Sequence, residues 1–413
     1  MTLKSLTLTN WKSFGEARNV IEFAPLTLLV GPNASGKSNA LDALRFLQGA
    51  ALDYPLGDVL RGRYEGQREI WPAVRGQTVE AARSGHHAFE LSTCWQFDAN
   101  EAMPGARTLE HLLGVDTEAD ALLNSERISR PSNNYAFDTD APTLRGAAGR
   151  QQGGGIKAAL RTQGKGNAES KTYSALRSLL GQVEGGGRVR PDAISDVHDV
   201  QAALRGIVFL DIQPARMRDY RPEHASVLGT SGENVSPVLH ALDESRLGDV
   251  IDWLSELCAP VLEEIDFDTT QLREVMFFFK EGHQHRISAR STSDGTLRFL
   301  GLVTALLTAK EGELIVIEEP DVGLHPSRIH LLARLLEQTT SARGVQVIAT
   351  THSPTLLAHL SPSSLGHVVA MGRAADTQTT VCMRLRDMEH FDQLRDSKHL
   401  DHLVSTGWIE RSL

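Results

Sequence analysis

Two short stretches near opposite ends of the chain hold residues whose types and spacing suit phosphate chemistry. The first, GPNASGKS, fits G-x-x-x-x-G-K-[ST] through Gly31, Gly36, Lys37 and Ser38, with Pro32, Asn33, Ala34 and Ser35 between them and Asn39 just beyond. Such a loop turns backbone N–H groups inward around phosphates. Lys37 reaches the terminal phosphates and the Ser38 hydroxyl ligates Mg²⁺. The second, LIVIEEPDVGLHP from Leu314, ends four apolar residues in adjacent carboxylates, Glu318 and Glu319. Burying carboxylates is costly unless a cation compensates them, so something positive is expected nearby. Mg²⁺ at the phosphate loop meets that need: Glu318 holds it through water, and Glu319 orients or deprotonates the attacking water. His352, at the end of ATTHSP, is placed to reach a γ-phosphate.

These groups meet only if regular elements carry them to one place. LTLLVG from Leu26 reads as a buried strand, and SNALDALRFLQ from Ser38 as a helix with Leu41, Leu44 and Leu47 on one face. LIVI, the helix RIHLLARLLEQTT and the strand VQVIATT make a right-handed parallel unit. The first fourteen residues and HAFELSTCWQF alternate as strands, the latter of a kind that pairs antiparallel. GIVFLDI reads as a further strand, VLHALDES and LGDVIDWLSELCAPVLEEI as helices, and REVMFFFKEGHQHRISA as a hairpin. STSDGTLRFLGLVTALLTA opens an apolar helix from a serine and glycine turn. The pattern divides the chain into an N-terminal lobe (1–142), a glycine-rich, partly mobile insertion (143–205) containing the helical pattern SALRSLLGQV, and a C-terminal lobe (206–413).

Net charge is −10, so the surface as a whole does not attract nucleic acid. Between Thr143 and Arg190, however, nine basic residues face two acidic ones, a local excess of +7 that makes 143–190 the candidate DNA contact. The longest mostly apolar run, FLGLVTALLTA, falls short of the roughly 20 residues that span a bilayer. The N-terminus lacks signal-peptide features, and a cytoplasmic location is expected. Cys94, Cys258 and Cys382 show no paired spacing, which argues against disulfides or a cysteine zinc site. His283 and His285 read as a hairpin turn rather than metal ligands.

LTLTNWKSF, STSDGTLRFLGL, IEEPDVGLHP and ATTHSPTLL occur in the order that resembles the ABC-type ATPases of the SMC, RecF-like and OLD-like branch. The resemblance implies an α/β P-loop NTPase fold: an ABC-ATPase head with a mixed central sheet, flanking helices, an antiparallel β-subdomain and a helical or flexible insertion. No heptad pattern is sustained, so the head would be armless. The implied cofactors are ATP and Mg²⁺. Ser293, Asp294 and Gly295 would be the signature that completes the ATP site of a second subunit in a head-to-tail homodimer. Glu318 would hold Mg²⁺-bound water, Glu319 would be catalytic, segment 321–325 would link the two sites, and His352 would be the switch histidine. Glu318 in place of aspartate, and SDG in place of SGG, point away from transporters.

Gln67 and Gln77 are both candidates for the glutamine that senses Mg²⁺ in this family. GTSGENVSPVLHAL from Gly229 looks like a lobe-to-lobe contact, and Arg216, Arg218 and Arg221 form either a basic contact or a solvated turn. Relatives carry a metal-binding nuclease domain after the ATPase. Here only about sixty residues follow ATTHSP, without a D-x-D pair. The expected function is an ATP-driven conformational switch acting through a partner effector, in DNA repair or in defence against phage. The alternatives are a transporter's nucleotide-binding subunit and a self-contained nuclease.

Overall fold

The computed structural model describes residues 1–99, 105–118, 120–131, 134–140, 150–151, 154–163, 168–186, 188–225, 227–257, 262–281, 285–389 and 391. Strands β1 (Thr2–Thr9), β2 (Asn19–Glu22) and β3 (Leu26–Val30) lead into helices α1 (Lys37–Ala51) and α2 (Leu56–Arg61). Strands β4 (Arg63–Glu65) and β5 (Arg68–Trp71) form a hairpin. Then come β6 (Ala88–Phe97), β7 (Arg107–Asp116), β8 (Leu122–Arg130), β9 (Asn134–Asp138), β10 (Arg150–Gln151), β11 (Gly155–Arg161) and β12 (Ala168–Ser174). Helix α3 (Pro191–Arg205), β13 (Val208–Leu210), β14 (Arg221–Pro222), α4 (Val235–His240) and α5 (Glu244–Leu257) follow. Strands β15 (Leu262–Thr269), β16 (Glu274–Glu281) and β17 (His285–Ser288) precede α6 (Asp294–Thr308) and β18 (Leu314–Ile317). The described chain closes with α7 (Ile329–Ala342), β19 (Gln346–Thr351), α8 (Pro354–Ala358), α9 (Pro362–Leu365), β20 (Val369–Arg373) and β21 (Thr380–Arg384).

The central sheet runs β13-β18-β19-β3-β20-β21, parallel throughout except for β21, which pairs antiparallel with β20. Alternation along its strands divides the core in two. Leu29, Leu314, Val316, Ile348 and Met371 face one cluster, which also takes Leu41, Leu44 and Leu47 of α1. Leu28, Val30, Ile315, Ile317, Val347 and Ala349 face the other, built with α4 to α7. A parallel sheet covered on both faces needs such continuous apolar strands, which explains why LTLLV and LIVI carry no polar residue but a threonine. The carboxylates begin only where β18 stops.

A second, nine-stranded antiparallel sheet runs β10-β11-β9-β8-β7-β6-β1-β2, with β12 on the free side of β11. Buried Gln346 joins the two sheets. Its amide accepts from Leu3 N–H (2.9 Å) and donates to Leu3 C=O (2.8 Å), satisfying a backbone that β19 cannot reach by pairing.

Three expectations change here. The 143–205 stretch holds, beside helix α3, strands that its composition did not suggest. Strands β11 and β12 extend the nine-stranded sheet, because Ile156, Ala158 and Leu160 alternate inward beneath the glycines that obscured them. SALRSLLGQV makes a single 3-10 turn, Leu179–Gly181, capped by Ser178, and Leu179 and Leu180 are buried. The helix expected across VLEEI ends at Leu257. Leu262 instead opens β15, whose Leu262 and Ile265 are buried beside the aromatic strand β16, so tertiary pairing overrides helical spacing.

Candidate functional site

The phosphate-type loop is held in shape by contacts that admit only glycine at its ends. Gly31 has φ 152°, and a Cβ there would lie 2.0 Å from Met371 C=O on β20. At Gly36, φ is 107° and a Cβ would lie 2.4 Å from Thr380 Oγ1 on β21. Thr380 Oγ1 itself donates within the loop's support, lying 2.7 Å from Ser13 Oγ and 3.0 Å from Ser35 C=O. Asn39 donates to Ser13 (2.7 Å) and its carbonyl accepts from Trp11 Nε1 (2.7 Å). NWKSF therefore buttresses the loop from behind. Arg373 Nε braces it from the front through Ala34 C=O (2.8 Å).

Lys37 opens α1 with its side chain buried, donating to Gly31 C=O and Pro32 C=O (both 2.9 Å). Burial pushes its ammonium pKa down to about 8, against the opposing pull of Glu319 and Glu318. Ser38 Oγ donates to Glu318 Oε1 (2.8 Å). Arg75, in the loop after β5, places Nη2 2.7 Å from each Glu318 oxygen. Burial alone would raise the Glu318 carboxyl, but the hydrogen bonds from Arg75 and Ser38 outweigh it and hold the pKa below the usual range. Ser38 Oγ and the Glu318 carboxylate are hard oxygen donors, a set that fits Mg²⁺.

Glu319 is one of few non-glycine residues with left-handed backbone (φ 47°), and Thr350 Oγ1 on β19 accepts its N–H (3.1 Å). That conformation is costly and turns the side chain off the strand axis, so that Glu319 Oε1 lies 3.3 Å from His352 Nε2. Asn33, Ala34, Ser35, Gly36, Lys37, Ser38, Asn39, Arg75, Glu319, His352 and Arg373 line one cavity of about 340 Å³. The acids follow β18, which is separated from β3 by β19.

Ser293 and Gly295 do not line this cavity. Ser293 is the N-cap of α6, accepting from Thr296 N–H (3.2 Å). A Cβ on Gly295 would lie 2.6 Å from Gly323 C=O, so the start of α6 packs directly on segment 321–325. Within that segment Asp321 Oδ1 is buried with no hydrogen-bond partner among the described residues, and burial raises the carboxyl pKa.

Arg218 clamps the turn before α6, donating to Ala289 (3.1 Å), Arg290 (2.7 Å) and Thr292 (2.8 Å) carbonyls and pairing with Asp294. This gives Arg218 a third role, neither basic contact nor solvated turn. Arg221 also turns inward, to Glu233 C=O (3.1 Å).

Neither glutamine candidate reaches Glu318. Gln67 lies in the β4–β5 turn, and Gln77 lines a separate cavity with Arg83 and His86. Arg75 stands at Glu318 instead. No periodicity or motif marks Arg75, Arg373 or Arg218; each acts from a loop or strand end through long-range contact. His283 lies outside the described residues, and among those described no group of three His, Cys, Asp or Glu could hold a metal. In the basic stretch, Arg161 and Arg190 pair with Asp192, Arg177 with Asp53, and Lys171 with Glu169. The partners Asp192 and Asp53 fall outside the counted window and offset two of the seven excess charges, so the stretch stays basic.

A phosphate loop after β3, paired acids after β18, a histidine after β19 and the serine-capped helix α6 make up the motif set of an ABC-type ATPase head. The chain belongs to the family described as AAA domain, putative AbiEii toxin, Type IV TA system, which it matches over residues 26–92 and 121–358. It is 54% identical over 50 residues to the chromosome partition protein Smc of Mycobacterium tuberculosis, and 47% over 49 residues to that of Halothermothrix orenii. Each match covers 12% of this chain and 4% of the relative's length. A solved SMC head bound to the C-winged helix domain of ScpA superposes with TM-score 0.51 at 14% identity, covering 94% of this chain and 99% of that one, a likeness of fold. Among the described residues, no helix is long and apolar enough to cross a membrane.

Proposed function

We propose that two copies of this chain close head to tail around two ATP molecules, and that hydrolysis reopens them. Each site takes Lys37, Ser38, Glu318, Glu319 and His352 from one copy and the Ser293–Gly295 turn from the other. One observation carries this reading: the signature turn lies outside its own chain's phosphate cavity, yet packs on segment 321–325, which leads directly from Glu319. A helix N-terminus with a serine hydroxyl suits an anion, and here the anion would belong to the opposite copy.

Within a site, the loop N–H groups and Lys37 bind the phosphates. Ser38 and Glu318 would hold Mg²⁺, which would supply neutralising charge to the phosphate oxygens. Glu319, kept off the strand axis by its backbone, orients the attacking water and accepts its proton; His352 steadies the Glu319 carboxylate and contacts the terminal phosphate. Opening and closing act on a protein effector in the cytoplasm. The basic stretch 143–190 keeps a positive excess beyond its pairs with Asp192 and Asp53 and is the candidate surface for DNA, while the toxin–antitoxin wording of the family's description favours defence over repair.

Complementation tests the shared site. Lys37→Ala and Ser293→Arg each abolish phosphate release alone. Mixed one to one, they recover about a quarter of wild-type turnover, because half the dimers are mixed and each mixed dimer has one intact site of two. Activity of either variant alone, or none in the mixture, contradicts a head-to-tail arrangement.

A further inference from the structure

Glu318 is served from two sides. Ser38 donates to Oε1, while a single guanidinium nitrogen of Arg75 lies 2.7 Å from both oxygens. That guanidinium occupies the lone pairs through which the carboxylate would orient metal-bound water. A guanidinium and a divalent cation at one carboxylate repel each other, so the two cannot both be held there.

Arg75 is free to leave. Its side chain is 58% exposed, and it stands in a loop rather than in a regular element. It also lines two spaces, the second of which takes in Glu318. One is the phosphate cavity; the other is a cleft of about 520 Å³ with Asp42, Arg45, Glu69 and Asp211 in its wall. Asp42 and Asp211 each attract it electrostatically.

We infer that Arg75 is the resident counter-ion of Glu318, opposing Mg²⁺ in the nucleotide-free protein and turning onto the phosphates when metal and nucleotide bind together. The inference rests on the ATP-site reading given above. Its physical basis is charge. A metal arriving alone must displace a cation from its carboxylate with nowhere better for that cation to go. A triphosphate carries more negative charge than one Mg²⁺ neutralises, and its oxygens accept the forked guanidinium at least as well as a carboxylate does. Metal and nucleotide thus help each other bind, and the coupling runs through one side chain.

The test measures Mn²⁺ binding to nucleotide-free protein by electron paramagnetic resonance, alongside binding of a fluorescent ATP analogue with Mg²⁺ present. Arg75→Ala should bind Mn²⁺ at least tenfold more tightly than wild type, whereas Arg75→Lys, which keeps the charge, should stay close to wild type. Adding Glu318→Gln to Arg75→Ala should remove the gain, which places the metal at this carboxylate. With Mg²⁺ present, Arg75→Ala should bind the ATP analogue about tenfold more weakly. Equal Mn²⁺ affinity in wild type and Arg75→Ala, or a gain that survives Glu318→Gln, overturns the counter-ion role while leaving the ATP site standing, provided wild type binds the analogue and Lys37→Ala does not. Failure of wild type to bind the analogue overturns the ATP-site reading and this inference with it.

Discussion

The chain presents two helix N-termini suited to phosphate, and they are built in opposite ways. Helix α1 starts at Gly36 with no side-chain cap, so its first N–H groups are left to the loop's interior, and the surrounding strands fix it through Thr380, Ser13 and Met371. Helix α6 starts with Ser293 bonded to its own Thr296 N–H, exposed, and carrying Asp294 in its first turn. One end is shaped to hold an anion unaided; the other is satisfied within its own chain until a ligand competes for the serine. An acid in the first turn would repel phosphate, but Arg218 pairs with Asp294 and cancels that charge. The departure from SGG to SDG is thus compensated in the structure by an arginine some seventy residues away.

The contrast breaks most sharply at Lys37. Lys37→Ala should weaken ATP binding to the single chain about 100-fold, roughly 3 kcal/mol for lost charge-assisted contacts. Ser293→Arg should leave that binding within about twofold while ending turnover. Titration calorimetry at concentrations below dimer formation separates the two, and equal losses would erase the distinction between the helix ends.

Arg218→Ala gives a smaller effect on the other side. Loss of three carbonyl bonds and the Asp294 pair should cost about 1–3 kcal/mol of stability, lowering the melting temperature, and should reduce turnover while ATP binding to the single chain stays unchanged. Adding Asp294→Asn should restore part of the turnover. No rescue would mean that Arg218 acts on the backbone alone.

A further effect is a pH dependence confined to α1. With the Lys37 pKa lowered to about 8, the nucleotide-free ammonium is charged below that pH and increasingly neutral above it. Bound phosphate restores the proton, so ATP affinity should be full below about pH 8 and fall by up to about tenfold per unit above it. Proton uptake on binding near pH 8.5, read by calorimetry in two buffers, would confirm the sign; affinity flat from pH 7 to 10 would contradict it.

Much of the α1 side was legible in the sequence, because its signals are local. An apolar strand, a glycine loop of fixed spacing and Leu41, Leu44 and Leu47 at helical period all lie within a few residues of one another. The same holds for LIVI followed by acids, and for Ser293 as a helix cap. What escaped depends on distance. Arg75 and Arg218 reach their partners from loops far away in the chain, and no period marks a loop arginine. Strands β11 and β12 hide in a glycine-rich composition, and their identity comes from pairing with β9 and each other. The charge count over 143–190 is incomplete for a related reason: Asp192 and Asp53 offset part of it from outside the window. Strand β15 shows the limit of spacing itself, since burial beside Phe277 and Phe279 outweighs its helical pattern.

The central claim is that the exposed end of α6 completes the site of another copy. Light scattering on Glu319→Gln with Mg²⁺, with and without ATP, addresses it most directly, because blocking hydrolysis traps the closed state. The mass should double with ATP, and the doubling should vanish when Ser293→Arg is added. A mass unchanged by ATP, in protein shown to bind it, would contradict the shared site.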